Sequence, residues 1–281
     1  MLSCLVNGIA AQVVAADERA LLYGDGLFET LAVRQGQAEF IDYHLQRLRV
    51  GCECLALDFD SWQSLQDDID VLSRRHPDAA IKVILSRTVG NRGYQIEPRQ
   101  AVTRIISTHA LPAWPQNYAE TGIRIRICDL RLSIQPQLAG IKHLNRLEQV
   151  LARAEWQNEY QEGLLLDYNG RLVEASMSNI FLVHESGLVT PSLQDCGVAG
   201  VMRSVIIELA EQLGIACRIQ PLSTDMLDTH HELFVCNSLI GIWPVVALES
   251  RCQYRIGATT RALQQALSEC DKTQRGQWRR I

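Results

Sequence analysis

The 281-residue chain has 27 basic residues, yet only three are lysines: Lys82, Lys142 and Lys272. A lysine amine is a nucleophile only when neutral, and loss of hydration favours the neutral form. Lys142 follows Leu138-Ala139-Gly140-Ile141, small and apolar neighbours that can hold an amine in a dry pocket. From local sequence alone, a surface position ahead of a helix is the commoner fate of such a lysine. Lys82 lies in Ile81-Lys82-Val83-Ile84-Leu85, where a two-residue period sets it opposite Ile81 and Val83, on a solvated or interfacial face. Lys272 belongs to a charged tail.

Other groups add acid, base and anion-binding chemistry. Glu174 follows a hairpin and, taken alone, reads as an exposed strand glutamate. Arg47 offers a planar fork of donors, although a solvated helix face is the usual place for such a residue; His44, one turn earlier, reads as its structural neighbour. Gly200 precedes a helix beginning at Val201 and Met202, where unbonded amides and the helix dipole favour an anion. Gly24-x-Gly26 lacks the third glycine of a dinucleotide fingerprint and lies outside any βαβ unit, so it reads as a tight turn shaping a pocket wall. In the loop Gly90-Asn91-Arg92-Gly93-Tyr94, Arg92 or Tyr94 is placed to meet an anionic substrate, and an ordinary surface loop fits equally well.

The elements that must position these groups follow from pattern. Asn7-Gly8, Gln35-Gly36 and Asn169-Gly170 predict hairpins, the first between strands over 2–6 and 12–15. Helical spacing predicts helices over 43–56, 61–74, 143–160, 201–213 and 259–268. Buried strands are expected over 81–85 and 102–107, a half-buried one over 123–128, and hairpin strands over 163–166, 171–175, 180–184 and 188–190. Strands in both halves with segregated helices indicate an α+β chain. The expected division is an N-terminal α+β domain over 1–112, a Pro-rich linker over 113–120 and a C-terminal α/β domain over 121–281 carrying Lys142.

Composition excludes several classes. Hydrophobic residues make up 47% and charged residues 21%, which rules out wholesale disorder. The net charge of −5 gives no general attraction for nucleic acid. The longest apolar stretch, 239–248, is about half a membrane span, and the N-terminus has no signal-peptide pattern. Nine cysteines without a C-x-x-C pair indicate free thiols in a reducing cytoplasm. The histidines lack metal-ligand spacing, so no metal site is expected.

The segment Leu138-Ala-Gly-Ile-Lys142-His-Leu-Asn-Arg-Leu-Glu-Gln-Val150 closely resembles the lysine segment of the aminodeoxychorismate lyases, a branch of the fold type IV pyridoxal-phosphate enzymes that also include branched-chain and D-amino-acid aminotransferases. Tyr23-Gly-Asp-Gly-Leu-Phe-Glu-Thr30, His44-Leu-Gln-Arg47-Leu48, Glu174-Ala-Ser-Met-Ser-Asn179-Ile-Phe181, Gly200-Val-Met-Arg203 and Cys236-Asn-Ser-Leu239 resemble the family's segments in the same order. The resemblance implies two α/β domains of the D-amino-acid aminotransferase type and pyridoxal 5'-phosphate as cofactor. It implies that Lys142 holds the cofactor covalently and, once released, acts as acid and base. Glu174 would pair with the pyridine nitrogen. Arg47, the Val201 and Met202 amides, Ser238 and Asn237 would bind the phosphate. Thr30, Arg92 and Tyr94 become candidates for substrate contact. The implied reaction is conversion of 4-amino-4-deoxychorismate to 4-aminobenzoate and pyruvate in folate precursor supply, by a homodimer. An aminotransferase for D- or branched-chain amino acids on the same scaffold is the alternative.

Overall fold

The computed structural model describes residues 1–90, 93–114, 117–184, 187–229, 231–270, 272 and 278. The chain divides into two compact units. Of the described residues, one holds those in 1–112, 141–145 and 272; the other holds those in 113–140, 146–270 and 278. Lys142 therefore packs with the first unit, although it follows the 113–120 segment in sequence.

The first unit contains β1 (Ser3–Val6), β2 (Ile9–Ala10), α1 (Arg19–Tyr23), β3 (Gly26–Arg34), β4 (Gln37–Ala38), α2 (Ile41–Leu55), α3 (Trp62–Arg75), β5 (Ala79–Arg87) and β6 (Val102–His109). Its six strands form one antiparallel sheet in the order β2-β1-β6-β5-β3-β4. Asn7 at φ 51 and Gly8 at φ 82 are both left-handed, the geometry whose twist suits a two-residue hairpin. The turn is so tight that pairing resumes at once, Val6 with Ile9, and the returning strand is Ile9–Ala10 rather than 12–15. Helix α2 packs on β3, and α3 on β5 and β6. Leu31, Ile81, Val83, Leu85 and Ile106 of the sheet and Leu65, Ile69 and Leu72 of α3 are almost completely removed from water, the apolar stripe that stabilises both layers.

The second unit contains α4 (Tyr118–Thr121), β7 (Ile123–Leu132), α5 (Leu147–Arg153), β8 (Glu162–Asp167), β9 (Arg171–Ala175), β10 (Asn179–His184), β11 (Gly187–Pro191), α6 (Val201–Gln212), β12 (Cys217–Gln220), β13 (Leu222–Ser223), α7 (Met226–Thr229), β14 (Glu232–Asn237), β15 (Gly241–Leu248), β16 (Cys252–Gln253) and α8 (Ala258–Glu269). A ten-stranded mixed sheet runs β12-β11-β10-β14-β15-β7-β8-β9-β13, with β16 on β15. Its core gathers Ile125, Leu164, Ile180, Leu182, Leu233, Val235, Trp243 and Val245.

The helix expected over 143–160 is confined to Leu147–Arg153. At its start, residues 142–144 are taken up in pairing with β3, described below. Beyond its end, Glu155 turns its carboxylate onto the Asp129 and Leu130 N–H groups at 2.8 and 2.9 Å. Arg153 donates to the carbonyls of Trp156 and Gln157 at 2.7 and 3.0 Å, closing the chain into a turn. The local turn and the distant contact of Glu155 with the 129–130 backbone together outweigh helical spacing. The strand expected over 123–128 continues to Leu132 across a bulge.

Candidate active site

In the first unit the lysine segment bridges the start of β3 on the side away from β5. The Phe28 N–H donates to the Lys142 carbonyl at 2.9 Å, and the Leu144 N–H donates to the Gly26 carbonyl at 3.0 Å. Leu27 and His143 form the antiparallel bridge between them. The glycines of Gly24-Asp25-Gly26 make this docking possible. A Cβ on Gly26 would lie 2.3 Å from the Leu85 carbonyl oxygen of β5 and 3.0 Å from Leu144 Cδ1 of the lysine segment. The Gly24 carbonyl, at a residue with φ 64, accepts from the Asn145 carboxamide N–H at 3.2 Å. Asp25 between them is held by Arg19 Nε at 2.8 Å and Arg87 Nε at 3.0 Å. The motif is thus the seat of the lysine segment. Lys142 itself is half-buried, with its Nζ 4.5 Å from the centroid of the Phe28 ring. An ammonium over an aromatic face is attracted by the ring quadrupole.

On the opposite face of β3, Glu29 is wholly buried. It binds Arg47 through two bonds, Nε to Oε1 at 2.6 Å and Nη2 to Oε2 at 2.5 Å, and His44 Nδ1 at 2.6 Å. Burial alone would raise the Glu29 carboxyl, but the Arg47 guanidinium and the His44 ring outweigh it and hold the group at about 2. His44 is shifted below its ordinary value because burial disfavours the imidazolium, against the pull of Glu29. Arg47, expected as a phosphate ligand, therefore presents its fork to Glu29. Glu29 is not among the candidates that the sequence offers. Its signal is one carboxylate inside Phe28-Glu29-Thr30-Leu31-Ala32, an apolar strand where an unpaired charge would be prohibitively costly.

In the second unit Glu174 is buried on β9, and its Oε2 accepts from the Val198 N–H at 2.8 Å. Arg146, half-buried, is shifted below its ordinary value by burial, with Glu174 and Glu148 pulling the other way. Asn179 bonds both sides of the loop that leads into α6. Its Nδ2 donates to the Val198 carbonyl at 2.9 Å and its Oδ1 accepts from the Gly200 N–H at 3.0 Å. A Cβ on Gly200 would fall 2.0 Å from that Oδ1. Gly200 caps α6 without a side-chain bond. The helix's first amides, those of Val201 and Met202, have no acceptor within the helix. Arg203 is not available to an anion: it is buried and donates to Thr190 Oγ1 at 3.3 Å and the Pro191 carbonyl at 3.0 Å.

The remaining candidates differ in what occupies them. Asn237 spends its side chain on structure. Its Nδ2 donates to the Met177 carbonyl at 3.2 Å and Ser178 Oγ at 3.1 Å, while its Oδ1 accepts from the Leu239 and Ile240 amides at 2.9 and 3.1 Å. Ser238 is half-buried in the turn so formed. Thr30 is half-buried on the Phe28 face of β3. Tyr94 is exposed, its ring edge-to-face with Tyr23 at 5.3 Å. Arg92 lies outside the described residues.

Comparison with known proteins adds the chain's relationships. The model of the family described as amino-transferase class IV matches residues 26–248. The chain is 35% identical over 264 residues to an aminodeoxychorismate lyase of Vibrio harveyi, covering 92% of this chain and 97% of that protein. It is 31% identical to a putative branched-chain-amino-acid aminotransferase of Methanocaldococcus jannaschii, covering 91% and 90%. Among solved structures, the 4-amino-4-deoxychorismate lyase of Pseudomonas aeruginosa superposes with a TM-score of 0.91 at 44% identity, covering 95% of this chain and 98% of that one. The branched-chain amino acid aminotransferase of Escherichia coli superposes with a TM-score of 0.81 at 24% identity and shares the fold.

Proposed function

This chain belongs to the amino-transferase class IV family, and on that premise we propose that it is a pyridoxal-phosphate-dependent lyase that converts 4-amino-4-deoxychorismate to 4-aminobenzoate and pyruvate, with Lys142 as its reacting amine. The observation that carries the reading is the seating of Lys142. Two backbone bonds to the Gly26–Phe28 stretch of β3 hold it half-buried against an aromatic ring. The extent of similarity to two lyases supports the choice of reaction.

The residues present fit the cofactor. A half-buried amine suits its aldehyde, a buried carboxylate oriented by an amide suits its ring nitrogen, and the start of α6 suits its phosphate. At that start a glycine stands where a Cβ would displace Asn179. By family resemblance Lys142 would hold the cofactor, Glu174 would pair with its pyridine nitrogen, and the Val201 and Met202 amides would bind its phosphate. Ser238 and Arg47 are assigned to the phosphate by family resemblance, with Nε and Nη2 of Arg47 already bonded to Glu29. When bound, the cofactor supplies an electron-accepting ring in conjugation with the substrate amine.

The chain's own residues then do the following. Lys142, as a free base, would remove the proton from the ring carbon that bears the substrate amine. General base transfer of this kind contributes about 10²- to 10⁴-fold in rate. Glu174, negatively charged, favours a protonated ring nitrogen and so a stronger electron acceptor. The neighbouring enolpyruvyl oxygen leaves, the substrate ring becomes aromatic, and the expelled fragment takes up a proton to become pyruvate. No amino acceptor enters, which separates this reaction from transamination.

An aminotransferase on the same scaffold is the second reading, favoured by the 31% identity to the Methanocaldococcus protein. Purified protein given 4-amino-4-deoxychorismate without a keto acid distinguishes them. Formation of 4-aminobenzoate supports the lyase; activity only with an amino acid and keto acid pair refutes it. The reading extends to a homodimer, supported by Leu147, Val150 and Leu151 of α5, which are 76%, 60% and 59% exposed. It extends also to a reducing cytoplasm, supported by nine cysteines of which none is in a disulfide. No helix among the described residues is long and apolar enough to cross a membrane.

A further inference from the structure

Two of the three lysines converge on one ring. On one flank of β3, Lys142 lies opposite Phe28 through the Leu27–His143 bridge. On the other flank, β5 sets Ile84 opposite Phe28 and Lys82 opposite Thr30. Side chains opposite one another in an antiparallel pair share a face, so Lys82, Thr30, Phe28 and Lys142 emerge together. The Phe28 centroid is 4.5 Å from Lys142 Nζ and 5.1 Å from Lys82 Nζ.

Lys82 differs from the third lysine. Lys272 is paired with Glu39 at 2.8 Å. Lys82 has no hydrogen bond and no ion pair among the described residues, although it is half-buried. Its neighbours across the sheet are Thr30 and Ser107, and Ser107 Oγ is bonded to His109 Nε2 at 3.0 Å. None of these brings a negative charge. A partly desolvated ammonium without a counter-charge is unfavourable unless an anion arrives to meet it. The arrangement suits a particular anion. Lys82 and Lys142 project from the two flanks of β3 onto one face, each amine within 5.1 Å of the Phe28 centroid, and in 4-amino-4-deoxychorismate the reacting amine and the ring carboxylate stand at opposite ends of one six-membered ring.

We propose that Lys82 receives the ring carboxylate of the substrate and so determines specificity for a carboxylate placed across a ring from the reacting amine. The inference rests on the lyase reading of the same site. Thr30 lies beside Lys82 in the register and offers a hydroxyl to the same carboxylate.

The test is equilibrium binding of 4-aminobenzoate and of aniline, which lacks the carboxylate, to the cofactor-loaded enzyme, its Lys82→Met variant and its Lys82→Arg variant. The unsubstituted enzyme should favour 4-aminobenzoate over aniline by about 10- to 100-fold, the range of one charge-assisted hydrogen bond. Lys82→Met should abolish that preference and leave aniline binding unchanged, and Lys82→Arg should restore most of it. In turnover, Lys82→Met should raise KM more than it lowers kcat. Equal binding of the two ligands by the unsubstituted enzyme overturns the proposal even if no variant folds. So does a full preference retained by Lys82→Met. The acceptor-free assay on the unsubstituted enzyme judges the lyase reading separately. If 4-aminobenzoate forms there but Lys82→Met keeps the preference, the anchor falls and the lyase stands. If none forms while the preference still depends on Lys82, the anchor stands and the lyase falls.

Discussion

The Asn145 carboxamide occupies the space that a side chain on Gly24 would need: an added Cβ would lie 2.6 Å from Asn145 Oδ1. Asn145 is three residues beyond Lys142, so this contact helps fix where the amine-bearing segment lands on β3. Gly24→Ala adds backbone strain at φ 64 of about 1–2 kcal/mol and pushes the carboxamide aside. The expected result is a lower melting temperature together with a reduced visible absorbance of bound cofactor per chain. A variant that loses stability but keeps full cofactor absorbance and turnover would show that this contact does not position Lys142.

Glu29 ties together β3 and α2 through Arg47 and His44. Glu29→Gln leaves a buried guanidinium with no counter-charge and should cost about 3–5 kcal/mol, read from denaturant unfolding. The pH dependence has a defined sign. The folded carboxyl sits at about 2 against an ordinary 4.5, so its stabilisation is complete above about 4.5 and is lost as pH falls from there towards 2. His44, whose folded value is lowered, opposes folding as pH falls below its ordinary 6.5. Unfolding free energies should therefore decline from near neutrality and more steeply below 4.5, and the steeper limb should be absent from Glu29→Gln.

Glu174 is held by the Val198 N–H, a bond that a glutamine oxygen can also accept. Glu174→Gln should thus fold normally and still bind cofactor, but lose about 10²-fold or more in kcat because the charge that keeps the ring nitrogen protonated is gone. The check is steady-state kinetics beside thermal unfolding. Unchanged kcat would remove Glu174 from the chemistry.

The start of α6 makes a separate prediction. Gly200→Ala drives a Cβ to within 2.0 Å of Asn179 Oδ1, which must move the loop that aligns the first amides of the helix. Cofactor affinity should fall while excess cofactor restores most activity. Activity that excess cofactor cannot restore would point to a role beyond phosphate binding.

The sequence makes local features legible and long-range ones obscure. The Asn7-Gly8 turn is visible because two positive φ values are demanded by residue type. The 143–160 helix fails because its first residues pair with Gly26–Phe28, more than a hundred positions earlier, and periodicity carries no information about that partner. Lys142, Glu174 and Gly200 are found through motif order. Glu29 and Asn179 stand inside those same motifs yet escape notice, because their roles become apparent only when α2 meets β3 and when the 198–200 loop meets β10. Lys82, expected on a solvated or interfacial face, is half-buried against Phe28. Register with Thr30 brings it there, and a single strand does not reveal register.

The claim on which everything turns is that Lys142, among three lysines, carries the cofactor. Borohydride reduction of the cofactor-loaded enzyme followed by peptide mass mapping tests it directly. One cofactor adduct per chain is expected, on the peptide bearing Lys142, with loss of the visible band. An adduct on Lys82 or Lys272, or a band that borohydride leaves untouched, would contradict it.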